Sequence, residues 1–239
     1  MGMGIDEQVK FTWVGHGTWK ATSAHGKSLL IDPWVMNNPV APEHLKRVEG
    51  CELMLITHGH FDHIWDAVEI AKATGCTVHA IFETANWLAG KGIEKVDGGN
   101  KGGTHEFDGI KVTLVHAEHS CGITDPPGST SIVYGGEACG LVIEFENGFT
   151  IYFAGDTDVF GDMRLIGEMH ELDAAFLPIG GYYTMGPRRA AKAVELLQVK
   201  TVVPMHFGTF PPLAGRPSQL QELVGGGVRV LDIKPGDEV

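Results

Sequence analysis

The chain has 239 residues, 43% of them apolar and 20% charged, the balance of a folded globular protein rather than a disordered one. Its formal net charge of −12 argues against nucleic acid or an anionic membrane as a partner, because phosphate binding is driven by Lys and Arg, and here Lys46-Arg47 and Arg188-Arg189 are only pairs. No apolar run approaches the ~20 residues that a membrane-spanning helix needs, and residues 1–8 lack the basic start and apolar core of a signal peptide, so a cytoplasmic location is expected.

In chain order, residues 9–14 and 28–31 read as strands, the second closed by Asp32-Pro33. Residues 51–57 form a short apolar run that suits a buried strand and ends at a group of histidines. Ile64, Ala67, Val68, Ile70 and Ala71 then recur at helical spacing, predicting one helix that Gly75 stops. Residues 77–81 and 110–116 are the next strands. Residues 141–146 and 150–154 form a hairpin around Asn147-Gly148, a strong turn signal. Residues 173–179 are another buried strand, Pro187 opens a helix to about Leu197, and residues 201–205 return as a strand. Strands and helices that alternate in this way predict an α/β protein of four layers, two packed sheets with helices outside, in one domain spanning residues 1–239. The four cysteines, Cys51, Cys76, Cys121 and Cys139, form no CxxC pair and are expected to be reduced and mostly buried.

The chemistry concentrates in His58-Gly59-His60-Phe61-Asp62-His63. Imidazole nitrogens and carboxylate oxygens are good ligands for zinc, iron or manganese. His58 and His60, two apart at an extended strand end, point to one side, while Asp62 and His63 lie on the turn into the helix and can face a second ion. Asp156 and His206, like His58, sit just past the ends of predicted strands, where side chains distant in sequence converge in α/β proteins.

Thr57-His-Gly-His-Phe-Asp-His63 resembles the signature of the metallo-β-lactamase superfamily. Gly15-His16-Gly17, Leu30-Ile31-Asp32-Pro33, Gly155-Asp156-Thr157, Leu177-Pro178-Ile179-Gly180, Tyr183-Thr184-Met185-Gly186-Pro187 and Pro204-Met205-His206 extend the resemblance over nearly the whole chain. Together they are similar to the metal-dependent hydrolases related to L-ascorbate-6-phosphate lactonase. The resemblance implies an αββα sandwich of that superfamily's type and a site for two divalent ions, zinc first, with manganese or iron as alternatives. It implies His58, His60 and His119 around one ion, Asp62, His63 and His206 around the other, and Asp156 bridging them. His116, three residues before His119, fits the strand alternation and faces core or solvent.

Two adjacent divalent ions lower the pKa of a shared water towards neutrality and polarise the bond under attack. The expected activity is hydrolysis of an ester, lactone or phosphoester of a small molecule, with Asp62 orienting the water and shuttling its proton. His16 reads equally as a residue near the metals and as a structural histidine. Asp32 reads as a turn residue before it reads as a partner orienting a ligand imidazole. Cys121 reads as an inert thiol, and Tyr182, Tyr183 and Thr184 as a patch lining a substrate pocket or packing a core. His25, His44, His79, His105 and His170 show no partner pattern.

The chain departs from the superfamily in having Ile64-Trp65-Asp66 where glycine is common, and Arg188-Arg189 where relatives carry acidic residues. Those arginines imply an anionic substrate if they reach the site, and otherwise a solvated first helical turn. The rival readings are a nuclease or phosphodiesterase, against which the acidic balance counts, a diiron redox protein, a thiolesterase, and an inactive metal-binding sensor. The expected partner is a small molecule, with oligomer formation open.

Overall fold

The computed structural model describes residues 4–239, so Met1, Gly2 and Met3 of the stretch read against a signal peptide lie outside the described residues. The first sheet is six-stranded and follows chain order: β1 (Lys10–Gly15), β2 (Thr18–Thr22), β3 (Ser28–Ile31), β4 (Leu53–Ile56), β5 (Thr77–Ile81) and β6 (Val96–Gly99). Its first strands are antiparallel, and β3 to β6 run parallel. Two helices, α1 (Phe61–Ile64) and α2 (Ala67–Thr74), connect β4 to β5, and α3 (Phe82–Gly90) connects β5 to β6.

The second sheet has seven strands. Named along the chain, they are β7 (Thr104–Phe107), β8 (Ile110–His116), β11 (Cys139–Glu144), β12 (Thr150–Phe153), β13 (Ala174–Pro178), β14 (Thr201–Met205) and β15 (Arg229–Val230). A separate hairpin, β9 (Gly122–Thr124) with β10 (Ile132–Tyr134), leaves the sheet between β8 and β11. The crossovers among the parallel strands β12 to β15 are α4 (Met163–Met169), α5 (Pro187–Leu197) and α6 (Pro217–Val224).

Alternation along β4 shows how the layers form. Leu53 and Leu55 join Phe11, Trp19, Leu141, Ile151 and Phe176 in the core between the sheets. Met54 and Ile56, on the other face, join Ile70, Ala71 and Leu88 of the covering helices. A strand buried on both faces reads as a continuous apolar run, as parallel strands between helices and a second sheet must. Mixed α/β layering with helices flanking the sheets is what the sequence predicted.

The predicted single helix after His63 is two helices, broken at Trp65 and Asp66. The buried Asp66 carboxylate accepts main-chain N–H bonds from Val35 (2.6 Å) and Met36 (2.8 Å), and the Asp66 N–H donates to the Pro33 carbonyl. These bonds pull the chain onto the loop after β3 and out of helical phase. Gly75 does end α2, in the left-handed conformation at φ 67° that glycine adopts without strain. The 141–146 strand is shifted to Cys139–Glu144 and pairs antiparallel with β12 as predicted. Strand β6, Val-Asp-Gly-Gly, has no apolar alternation to reveal it. No helix among the described residues is long and apolar enough to cross a membrane, and all four cysteines are buried and free.

Because β3, β4, β12 and β14 are parallel strands of two facing sheets, their C-terminal ends carry Asp32, Thr57 to His60, Asp156 and His206 towards one place. We expect Leu55→Ala, which opens a cavity between the sheets, to destabilise the chain by about 2–5 kcal/mol. Urea unfolding should show a lower midpoint at unchanged slope, and an unchanged midpoint would mean that the sheets do not depend on this contact.

Candidate metal centre

The construction starts at Asp32, which is fully buried at φ 49° just past β3. Its Oδ1 accepts the Thr57 N–H (2.8 Å), and its Oδ2 accepts the Thr57 hydroxyl (2.7 Å) and lies 2.8 Å from His63 Nδ1. Thr57 Oγ1 in turn sits 3.0 Å from His58 Nδ1. One carboxylate thus aims two imidazoles, directly at His63 and through the threonine at His58, leaving the Nε2 atom of each turned inward. Asp32 is therefore more than the turn residue its Asp-Pro context suggested. It does turn the chain, but a buried carboxylate must also be filled with donors, and His63 is one of them.

His60 caps α1, placing Asp62 and His63 on the helix's first turn. His58 Nε2, His60 Nδ1 and His119 Nε2 converge, at 3.1 Å and 3.2 Å from the His60 nitrogen. His119 is brought there by a bridge between Glu118 and Asp158, reinforced by the Glu118 N–H donating to Thr157 Oγ1 (2.9 Å). Asp156 stands at the middle. Its Oδ1 is 3.3 Å from His63 Nε2, and its Oδ2 is 3.1 Å from His206 Nε2, 3.6 Å from His119 Nε2 and 4.0 Å from His58 Nε2. His206 follows β14 at φ 54°, and its N–H donates to the His16 carbonyl (3.0 Å). Gly17 and Gly155 are required for this packing: a Cβ on the first would strike the His63 ring, and one on the second would lie 2.7 Å from Thr57 Cβ.

His16, left undecided by the sequence, is fully buried, and both ring nitrogens are engaged: Nε2 with Asp62 Oδ2 (2.8 Å) and Nδ1 with Thr209 Oγ1 (2.9 Å). It lies against His206, ring centroids 3.8 Å apart. It offers no spare lone pair and fixes the Asp62 carboxylate instead.

Charge is divided across the site. Burial opposes ionisation of Asp156, but His206 and His63 outweigh it and hold the carboxyl well below its ordinary range. Asp62 is likewise kept ionised against burial, chiefly by the hydrogen bond from His16. Burial keeps His58, His60 and His119 neutral, with lone pairs available. His63 is raised despite burial by Asp156 and Asp32, and His206, likewise against burial, to about 9 by Asp156. His16 is pushed down to about 4, first by burial and then by His206.

The side chains fit a metal. His63 Nε2, Asp156 Oδ1 and both His206 nitrogens are buried without a hydrogen-bond partner. Orphaned polar atoms of this kind are costly unless something meets them. Around the neutral imidazoles of His58, His60 and His119 a cation is the partner that satisfies converging lone pairs. The sequence-predicted residues His58, His60, Asp62, His63, His119, Asp156 and His206 are all brought together.

Other sequence candidates fall outside. His116 is exposed, 3.4 Å from Glu118 Oε2. Cys121 is a buried thiol whose Sγ accepts the Gly59 N–H at 3.2 Å, so it shapes the histidine loop from behind. Arg188 and Arg189 are exposed, and Arg189 pairs with Asp158 (2.7 Å). A cavity of about 490 Å³ opens over the site, lined by His60, Phe61, Asp62, His119, Asp156, Tyr183 and Phe210, with Ser120 and Thr124. Tyr183 lines it, whereas Tyr182 points to solvent. Sequence reasoning missed Thr209 and Phe210, which reach the site across the fold, and Ser120, whose Oγ is 3.1 Å from His60 Nε2. It also left His79 and His105 unpartnered, where the structure places both against Asp97.

A family profile described as a beta-lactamase superfamily domain matches residues 27–207, which contain the whole histidine cluster. A UPF0173 metal-dependent hydrolase of Koribacter versatilis is 53% identical, over 96% of this chain and 97% of that protein. The chain belongs to the metallo-β-lactamase superfamily, among its UPF0173 metal-dependent hydrolases. A second such relative, from Solibacter usitatus, is 47% identical over 97% of this chain and 99% of its own length. Among solved structures, the metallo hydrolase Igni18 of Ignicoccus hospitalis is 36% identical with a TM-score of 0.84, covering 97% of each chain. The superfamily sandwich accounts for the αββα layering and for the gathering of ligand-type side chains at the strand ends.

Because partners behind a ligand imidazole set its tautomer and orientation, Asp32→Asn should weaken metal affinity by about 10–100-fold. Competition against a chromophoric chelator measures it. Affinity equal to that of the unaltered chain would deny Asp32 this part.

Proposed function

We propose that this superfamily member hydrolyses a small uncharged ester or lactone carrying an apolar group, at a centre of two divalent ions, as one domain of residues 1–239. The observation that carries the reading is the position of Asp156, a buried carboxylate with imidazoles from His63 on one oxygen and from His206, His119 and His58 on the other. A carboxylate so placed suits two cations side by side. His58, His60 and His119 would hold one ion and Asp62, His63 and His206 the other, with Asp156 between them. Zinc suits the nitrogen-rich set best, and manganese and iron accept the same ligand types.

Bound divalent ions supply Lewis acidity and a water of lowered pKa. The protein's own groups do the rest. Asp62, fixed through Oδ2 by His16 and open to the cavity, orients water for attack on the carbonyl and takes the proton it gives up. The same carboxyl then delivers the proton to the departing alkoxide, so that an ester gives acid and alcohol and a lactone gives the single hydroxy acid. Phe61, Phe210 and Tyr183 hold the apolar part of the substrate and keep bulk water out.

Lining residues favour an uncharged substrate over the phosphoester that the likeness to a phosphate-ester lactonase suggested. Among the described residues no Lys or Arg lines the cavity, and Arg188 and Arg189 are exposed. Phosphate recognition ordinarily recruits such cations.

Metal analysis joined to a screen of esters, lactones and phosphodiesters tests the proposal. Asp156→Ala should lose bound metal and turnover together; if both persist, the two-ion reading is wrong. Asp62→Asn should keep the fold and lower kcat by about 10²–10⁴-fold, the range of a lost general base. Phe210→Ala should act mainly on KM. Turnover confined to phosphodiesters would overturn the substrate assignment.

A further inference from the structure

The cavity over Asp156 does not end at its own walls. A second cavity of about 650 Å³ lies beside it, and the two share His119 and Ser120 as lining residues. The β9–β10 hairpin borders both: Thr124 lines the first, and Gly122, Ile132, Val133 and Tyr134 line the second. Alternation along β9 accounts for this. Ile123 is buried against the histidine loop, where a Cβ on Gly59 would lie 2.4 Å from its Cγ1, so Gly122 and Thr124 face the other way, towards the cavities.

The hairpin is a fixed wall. The Asp125 carboxylate accepts bonds from Trp87 Nε1 (2.9 Å) and Lys91 Nζ (2.7 Å), and the Thr84 hydroxyl donates to the Gly135 carbonyl (2.7 Å). The loop and the base of the hairpin are thereby tied to α3 and its C-terminal end. Yet Ile132 is 72% exposed, Tyr134 69% and Val133 between them 38%. Among the described residues, β10 pairs with β9 alone. A contiguous apolar patch held in place beside a cavity marks a binding surface. The polar lining, in contrast, is satisfied within itself. Lys101 Nζ meets the Glu137 carboxylate and His116 Nδ1 (3.3 Å), and His116 Nε2 lies 3.4 Å from Glu118 Oε2. Two glutamates answer one lysine and one histidine, so no cation is spare for a carboxylate or phosphate.

We propose that the second cavity is a subsite for an unbranched, uncharged alkyl arm of the ester or lactone, which passes His119 and Ser120 and lies along Ile132 and Tyr134. The inference rests on the hydrolase reading for the reaction at one end of that substrate, and on the hairpin for the other. With the reacting carbonyl beside Asp156, Phe61, Phe210 and Tyr183 receive one arm and the hairpin receives the other. An alkyl arm covers the exposed side chains and brings no polar group that would go unpaired. Ile132 and Tyr134 are thereby specificity-determining residues that select for chain length.

Two pairs of uncharged esters test this: 4-nitrophenyl acetate against 4-nitrophenyl octanoate, which differ in the acyl arm, and ethyl against octyl phenylacetate, which differ in the alkoxy arm. Wild type should prefer the long member of one pair by at least about tenfold in kcat/KM, from partial burial of the added methylenes. Ile132→Ser combined with Tyr134→Ser should cut that preference to about twofold. Leu223→Ser, which alters an exposed leucine on α6, should keep it. No chain-length preference in either pair, or its survival in the double variant, would overturn the subsite. Calorimetric titration with N-octylacetamide against N-ethylacetamide needs no turnover, and so separates this proposal from the hydrolase reading. Binding of the octyl compound about tenfold tighter, lost in the double variant, supports the subsite even where no ester is cleaved. Equal affinities overturn it even where short esters are cleaved. Self-association of wild type that the double variant abolishes, without any chain-length preference, would give the patch to a second copy of the chain and overturn the proposal.

Discussion

The arrangement of this protein turns on a carboxylate shut away from water. Asp156 is 3% exposed, stays ionised, and has a side-chain oxygen that meets no hydrogen bond. A bare buried charge costs several kcal/mol or more, so its surroundings must answer it. The answer here is four imidazoles within 4.0 Å, drawn from the loops and the short helix that follow strands of both sheets. Imidazoles alone do not complete it, because lone pairs then face one another. A metal cation among carboxylate and imidazoles would satisfy both sides, and the rest of the site reads as support for the side chains that could hold one.

Support comes from behind. Asp32 aims His63 directly and His58 through Thr57, while His16, itself met by Thr209, holds Asp62. These groups are buried, so their hydrogen bonds are formed in a low dielectric where a missing partner is expensive. Burial therefore gives the side chains fixed tautomers and orientations before any substrate arrives. Asp66 does the same for the backbone, tying the start of the helical connection to the loop after β3.

The walls of the cavity divide the chemistry from the selection of substrate. Ionisable groups gather at its floor, whereas Phe61, Phe210 and Tyr183 form its sides and the arginines after Pro187 stay in solvent. On the proposed reading, a reacting carbonyl would meet charge there and the rest of the substrate would meet aromatic rings.

Much of this was legible in the chain itself. Apolar runs and turn signals located β3, β5, β8, β13, β14 and α5 closely, since burial on two faces and an N-terminal proline leave local marks. The residues now gathered at the centre were also legible, because ligand chemistry demands particular side chains at fixed spacing and the motifs around them resemble a family's. The roles of His16 and Asp32 were not. Each depends on what stands opposite it, Thr209 and Asp62 for one and His63 for the other, and such neighbours are set by how the sheets face each other. The placing of His79 and His105 against Asp97 was invisible for the same reason: the three lie on three strands and share no motif. The sequence by itself determined which groups can bind metal and which segments pack, because both are properties of residue type and local order. Only the tertiary structure decided which buried atom meets which, since pairing across strands from two sheets follows from packing that no local pattern encodes.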